Sequence, residues 1–136
     1  MPDAHGLPPL ADQFSETYWS AAREGTLLIQ QCLTCERFQF YPRRHCVHCF
    51  APDPAWTPAS GRGRVHTYAT IQRTPNAEFA ADCPYVLAII ELDEGPRMTA
   101  RIIGQVDGIA CDQRVHAVFA PADQAGVIPN FALDSR

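Results

Sequence analysis

No lysine occurs anywhere in the 136 residues, so arginine supplies every fixed positive charge. That absence fits a bias in genomic base composition and carries no functional reading. Positive charge is scarce overall: Lys plus Arg total 11 against 15 Asp plus Glu, a formal net charge of −4. An acidic chain pays an electrostatic penalty on approaching a phosphate backbone, which sets nucleic-acid binding at a disadvantage. The sequence lacks any apolar run near the roughly 18 residues of a membrane helix. The opening Met1-Pro2-Asp3-Ala4-His5 also lacks the charged and then apolar layout of an export signal. A cytoplasmic protein that does not enter a membrane is expected. No internal repeat or low-complexity segment interrupts the chain, and its length suits one small domain with an appendage.

Six cysteines are present, and four of them fall in two tight pairs. Without an export signal a disulfide framework is disfavoured and metal binding explains the pairing better. Cys32-Leu33-Thr34-Cys35 and Cys46-Val47-His48-Cys49 are two C-x-x-C knuckles with ten residues between them. Each knuckle aims two sulfurs at one point, and together they supply the four thiolates of a tetrahedral zinc site. All four positions come from protein, leaving none for a catalytic water, so the zinc is structural. With thiolates at −4 and the metal at +2, the total charge moves to about −6. Metal binding would supply folding free energy on the order of 10 kcal/mol to a ribbon too small for its own core. His45 and His48 lie nearby, but the complete cysteine set leaves them no ligand role.

Around the knuckles, residues 1–9 carry three prolines and a glycine and read as an extended arm. Leu10 to Glu24 repeats apolar residues at helical spacing, with Gly25 as its stop. Phe14, Tyr18 and Trp19 would pack one helix face on a neighbour. Thr26 to Gln31 reads as a short strand. Ala51 to Gly63, rich in proline and glycine, reads as a linker with Trp56 as its anchor.

After Gly63 the period changes to two. Val65, Thr67, Ala69 and Ile71 alternate with His66, Tyr68 and Thr70. Tyr85 to Leu92 is an apolar run ended by the turn Asp93-Glu94-Gly95-Pro96, and Arg97 to Ile103 returns as its partner. Arg114 to Phe119 alternates again, and a last strand is expected near Val127 to Leu133, broken by Pro129. Five short strands suggest a small closed barrel, because closure removes exposed edges. The expected fold is mainly β: N-terminal arm and helix over residues 1–25, a four-cysteine zinc ribbon over 26–58, and a five-stranded OB-fold barrel over 59–136.

Read together, these motifs resemble a known family of bacterial and archaeal proteins that pair a rubredoxin-like zinc ribbon with an OB-fold and are associated with acyl-CoA. The resemblance covers about residues 10–132. It rests on the two knuckles, Tyr41-Pro42-Arg43, Gly63-Arg64-Val65-His66-Thr67-Tyr68, Pro84-Tyr85-Val86-Leu87-Ala88, and Glu91-Leu92-Asp93-Glu94-Gly95-Pro96-Arg97-Met98. The sequence departs from the family pattern at Glu36, where a glycine is usual, and at Tyr41 and Val47, where prolines are common. Asp112 stands at a turn glycine and tolerates a left-handed conformation. The resemblance implies a non-catalytic accessory subunit in a hetero-oligomer. Its partner would be a thiolase-like enzyme that makes or breaks carbon–carbon bonds beside an acyl-CoA thioester.

Within that reading, Arg43, Arg44 and Phe40 are candidates for a cationic, aromatic lip that meets coenzyme A, or for partner contacts. The alternative for each is a solvated arginine or a ring covering the zinc module. Phe79, in the expected loop from Thr74 to Cys83, is a further contact candidate. Cys83 and Cys111 show no accompanying base or oxyanion site and read as inert thiols. His66 and His116 read as surface histidines, and Asp93 and Glu94 as turn carboxylates. Two other functions stay open: a nucleic-acid-binding ribbon and OB module, and an independent acyltransferase using Cys83 or Cys111.

Overall fold

The computed structural model describes residues 15–75, 83–119 and 129–134. Helix α1 spans Glu16–Arg23 and buries Tyr18 and Ala22, one turn apart on a single face. Gly25, at φ 84°, ends it. The N–H of Gly25 donates to the Ala22 carbonyl and that of Thr26 to the Ala21 carbonyl, both within 3.0 Å, which satisfies two orphan carbonyls of the last turn. The stop at Gly25 is thus as the sequence predicts. Leu10 and Phe14 lie outside the described residues.

Three short strands follow: β1 (Leu28–Gln31), β2 (Phe38–Gln39) and β3 (Ala55–Pro58), in the order β2-β1-β3. The expected strand is β1. The stretch read as a linker contains β3, which pairs antiparallel with β1 from Leu28↔Pro58 to Gln31↔Ala55. Pro54 precedes this edge strand and Pro58 is its last residue, positions where a missing N–H costs little. Trp56 packs partly buried against the core, as an anchor should.

The rest closes into a five-stranded barrel of β4 (Arg62–Ile71), β5 (Tyr85–Leu92), β6 (Arg97–Ile103), β7 (Arg114–Phe119) and β8 (Pro129–Leu133). Its order is β4-β5-β6-β8-β7, with β7 returning to β4 and β8 lying parallel to β6. This is the OB-type barrel expected from the strand count. The bounds of β5, β6 and β7 agree with the sequence pattern. Pro129 begins β8 rather than breaking it; as the first strand residue it need not donate to the ladder.

Strand β4 departs from the expected alternation. Its register slips between Val65 and Thr67, leaving His66 as an extra residue in a bulge. Val65 is fully buried, but Thr67 and Ala69 beyond the bulge are exposed. The inserted residue flips every later side chain to the other face.

One apolar cluster fills the interior. It joins Tyr18, Leu27 and Ile29 of the N-terminal part to Val65, Val86, Ile90, Leu92, Ile102, Val115 and Phe131 of the barrel. Burying each large side chain here contributes roughly 1.5–3 kcal/mol. The Ala59 N–H donates to Leu27 O at 2.8 Å, and the Ser60 N–H to Glu94 Oε2 at 2.7 Å. The β5–β6 turn is thereby tied to the entry of β4. The other Glu94 oxygen is buried with no hydrogen-bond partner among the described residues, a desolvation cost that the turn carries.

The turn is tied to β7 as well. Both Arg114 guanidinium nitrogens donate to Asp93, at 2.7 and 2.8 Å. This fork holds the Asp93 carboxyl below its ordinary range, chiefly through the hydrogen bonds from Arg114. A lowered carboxylate pKa contributes stability that is present above the unfolded pKa and lost as the pH falls through the folded one. Asp93→Asn should therefore lower the midpoint of thermal unfolding at pH 7 slightly, with the difference from the parent shrinking in acid. The effect is small because both groups are two-fifths or more exposed. At Gly63, an added Cβ would lie 2.5 Å from the Glu91 carbonyl oxygen, and backbone cannot yield there. Gly63→Ala should cost about 1–3 kcal/mol, read from chemical denaturation.

Candidate metal centre and adjoining cleft

The first knuckle joins β1 to β2, and the second lies in the connection from β2 to β3. Both fold by the same hydrogen bonds. Cys32 N–H donates to Arg37 O at 2.9 Å and Cys46 N–H to Ala51 O at 2.8 Å. Glu36 N–H returns to Cys32 O at 3.0 Å, and Phe50 N–H to Cys46 O at 2.9 Å. To make that return, Glu36 and Phe50 adopt φ of 65° and 64°. This is the left-handed conformation that a glycine would take without strain. Asp112, the other expected left-handed position, has φ 68°.

The four sulfurs converge. Cys32 Sγ lies 3.6 Å from Cys49 Sγ, Cys35 Sγ lies 3.6 Å from Cys46 Sγ, and all four fall within 4.8 Å of one another. A tetrahedron with zinc–sulfur bonds of about 2.3 Å has edges of about 3.8 Å, so the donor set fits zinc. Backbone N–H groups of Thr34 and Cys35 point at Cys32 Sγ, and that of His48 at Cys46 Sγ, at 3.3–3.4 Å. They favour ionised sulfur. The Cys32 thiol is drawn down to about 6, first by the Cys35 N–H. At Cys49 the Ala51 N–H acts in the same sense, but burial and the three neighbouring sulfurs outweigh it and push the thiol up to about 11. When bound, zinc neutralises part of this crowded charge and locks the two knuckles together.

Cys83 and Cys111 stand apart from this cluster, at the approaches to β5 and β7. His45 and His48 are exposed on the ribbon. His48 Nδ1 lies 3.3 Å from an Arg37 nitrogen and its Nε2 lies 3.4 Å from Phe38 O, so the imidazole faces away from a ligand role.

The sequence reading missed a buried amide pair that braces the segment between the knuckles. Gln30 and Gln39 are 3% and 6% exposed, deep enough that every polar atom needs a partner. Gln39 Nε2 donates to Gln30 Oε1 at 2.7 Å. Gln30 Oε1 also accepts from Arg43 N–H at 2.9 Å, while its Nε2 donates to Arg43 O at 3.1 Å. Gln39 Oε1 accepts from Val47 N–H at 2.9 Å. Glutamine in a short strand gives no sequence signal of such a role.

Held this way, Arg43 lines a cleft of about 690 Å³ between the ribbon and the β5–β6 turn. Phe38, Phe40, Tyr41 and Arg37 form the ribbon wall, and Glu94 to Arg97 the barrel wall. Edge-to-face contacts run from Tyr18 to Phe40 (5.7 Å) and from Phe40 to Tyr41 (5.1 Å), fixing the rings from the helix outwards. Burial pushes the Tyr18 hydroxyl above its ordinary range. Of the candidate contact residues, Arg43 and Phe40 meet in this cleft. Arg44 is exposed but does not line it, and Phe79 lies outside the described residues.

Comparison with known proteins places this geometry. Residues 19–55 match the rubredoxin-like zinc ribbon domain of ChsH2, and residues 56–120 match the ChsH2 C-terminal OB-fold domain. A DUF35 domain-containing scaffold protein of Methanothermobacter thermautotrophicus is 37% identical over 98 residues, 71% of this chain and 73% of that protein. The chain belongs to the ChsH2/DUF35 family. The benzoylsuccinyl-CoA thiolase subunit BbsA of Geobacter metallireducens is 28% identical over 91 residues, 67% of this chain and 60% of that subunit. The probable enoyl-CoA hydratase alpha subunit of Thermomonospora curvata is 31% identical over 96 residues, 71% of this chain but only 30% of that longer protein. Among solved structures, a chain of the Ltp2-ChsH2(DUF35) aldolase superposes with a TM-score of 0.81 at 29% identity, over 93% of this chain and 98% of that one.

The metal site makes a direct prediction. The purified protein should hold one zinc per chain by elemental analysis, and Cys32→Ala should abolish it and unfold the ribbon. Cys83→Ala and Cys111→Ala should leave the metal content unchanged. Zinc should be released as the pH falls, because protons compete for the thiolates.

Proposed function

We propose that this chain is a non-catalytic, zinc-binding subunit of an acyl-CoA-processing complex. It pairs with a thiolase-like enzyme that makes or breaks a carbon–carbon bond and contributes part of the surface that meets coenzyme A. The observation that carries this reading is the likeness to the aldolase chain, which takes in helix, ribbon and barrel together and spans nearly the whole of both chains. A zinc site closed by four thiolates offers no coordination position to a substrate or water, which suits a scaffold.

The cleft supports the finer part of the reading. Arg37, Arg43 and Arg97 bring guanidinium groups for anionic oxygens, and Phe38, Phe40 and Tyr41 bring rings for a flat or apolar group. A nucleotide thioester carries both kinds of group. The barrel arginines are less suited to a phosphate track. Arg64 approaches Glu91 at 3.2 Å, Arg114 is held by Asp93, and Arg101 stacks over the Tyr85 ring at 4.0 Å. The nucleic-acid reading therefore gains nothing from the barrel.

Co-purification of the tagged protein from its native host, with mass spectrometry of what it retains, tests the proposal. A thiolase-like protein in stoichiometric amount is expected. In the reconstituted complex, Arg43→Ala should raise the KM for acyl-CoA several-fold with kcat little changed. Recovery of the chain alone, or acyl-CoA turnover by the isolated chain, would overturn the reading.

A further inference from the structure

Gln30 and Gln39 face each other as direct partners across β1 and β2, and both amides are buried. Every nitrogen and oxygen of the pair has a partner, since Gln39 Nε2 donates to His45 O at 3.4 Å as well as to Gln30 Oε1. Two buried amides are a poor means of stabilising so small a sheet, because apolar side chains of the same size would need no partners. What a fully satisfied polar pair adds is a unique conformation of the groups it holds.

Those groups belong to the cleft. Gln30 reaches 13 residues along the chain and grips both the N–H and the carbonyl of Arg43, as one strand residue grips its neighbour. No other hydrogen bond holds the Arg43 backbone among the described residues. Gln39 Oε1 accepts from Val47 N–H, and Arg43 and Val47 both line the cleft, beside Phe40 and Tyr41. The Arg43 guanidinium has no hydrogen-bond or ion-pair partner among the described residues, whereas Arg37 lies 3.3 Å from His48 Nδ1. The place of Arg43 in the cleft is therefore set by its backbone, and the backbone by Gln30.

A guanidinium on a free stem loses much rotamer freedom when it meets an anion. Fixing its Cα beforehand removes part of that loss and aims the planar fork. We propose that Gln30 and Gln39 are positioning residues for ligand binding in the cleft, setting through the Arg43 backbone where its guanidinium meets an anionic group of coenzyme A. The inference rests on the reading of the cleft given above. Gln30 acts on Arg43 directly and Gln39 acts by holding Gln30, so their effects differ in size.

The test measures the affinity of the reconstituted complex for coenzyme A by calorimetry, with zinc content determined for every variant. Gln30→Met keeps the length of the side chain and removes the grip on Arg43. Affinity should fall roughly three- to tenfold, the range for one hydrogen-bonded contact, with zinc retained. Gln39→Met leaves both bonds from Gln30 to Arg43 in place and should cost less affinity. A positioning residue acts only through the group it positions, so Gln30→Met should add nothing in an Arg43→Ala background. An equal loss in that background would overturn the inference, because the substitution would then loosen the ribbon at large. Unchanged affinity in zinc-replete Gln30→Met, with affinity reduced in Arg43→Ala, would also overturn it and leave the reading of the cleft intact. If the parent complex binds no coenzyme A, or Arg43→Ala binds it equally well, both fall. Should Gln30→Met lose zinc, Gln39→Met in the parent and Arg43→Ala backgrounds decides by the same comparison. Loss of zinc in both would overturn the inference in favour of a purely structural brace.

Discussion

Convergence of four thiolates on one point is the constraint from which the N-terminal half of this protein takes its shape. A sheet whose strands run to four, two and four residues is too short to hold itself in water. Between its strands lie turns that place Glu36 and Phe50 in left-handed conformations, which cost more for these residues than for glycine. Ligation of the sulfurs makes those turns obligatory. The buried Gln30 and Gln39 amides then carry the fixed position of the sheet out to Arg43 and Val47, so that metal, sheet and connecting segment behave as one rigid wall.

That wall matters because the barrel supplies the opposite one. A continuous apolar cluster from Tyr18 through Ile29 to Phe131 leaves ribbon and barrel without independent cores. The Ser60–Glu94 bond and the Asp93–Arg114 fork hold the β5–β6 turn across the cleft from Phe38 and Phe40. A rigid cleft of this kind spares a ligand the entropy of ordering its own site. The matched stretch makes up 73% of a DUF35 domain-containing scaffold protein and 30% of a longer hydratase subunit.

The cysteine spacing made the metal site legible because a C-x-x-C turn is a local object whose two sulfurs are aimed by a few backbone angles. The spans of β5, β6 and β7 were legible for a similar reason, since alternation and turn residues are written in consecutive positions. Asp112 was readable at a left-handed turn because its short side chain tolerates what most residues do not. Strands β2 and β3 escaped notice because two and four residues are too few to show a period, and β3 hides among prolines.

By itself the sequence determined the zinc-binding chemistry, the strand-rich composition of the second half and the family resemblance that joins them. Tertiary structure alone decided the bulge at His66, the parallel pairing of β6 with β8, the amide brace, and which aromatics and arginines share a cleft. The division follows from range. Ligand spacing and side-chain alternation act over a few bonds, whereas register, closure and cleft walls arise between segments far apart in the chain. Their positions are fixed only when all the apolar faces are buried at once.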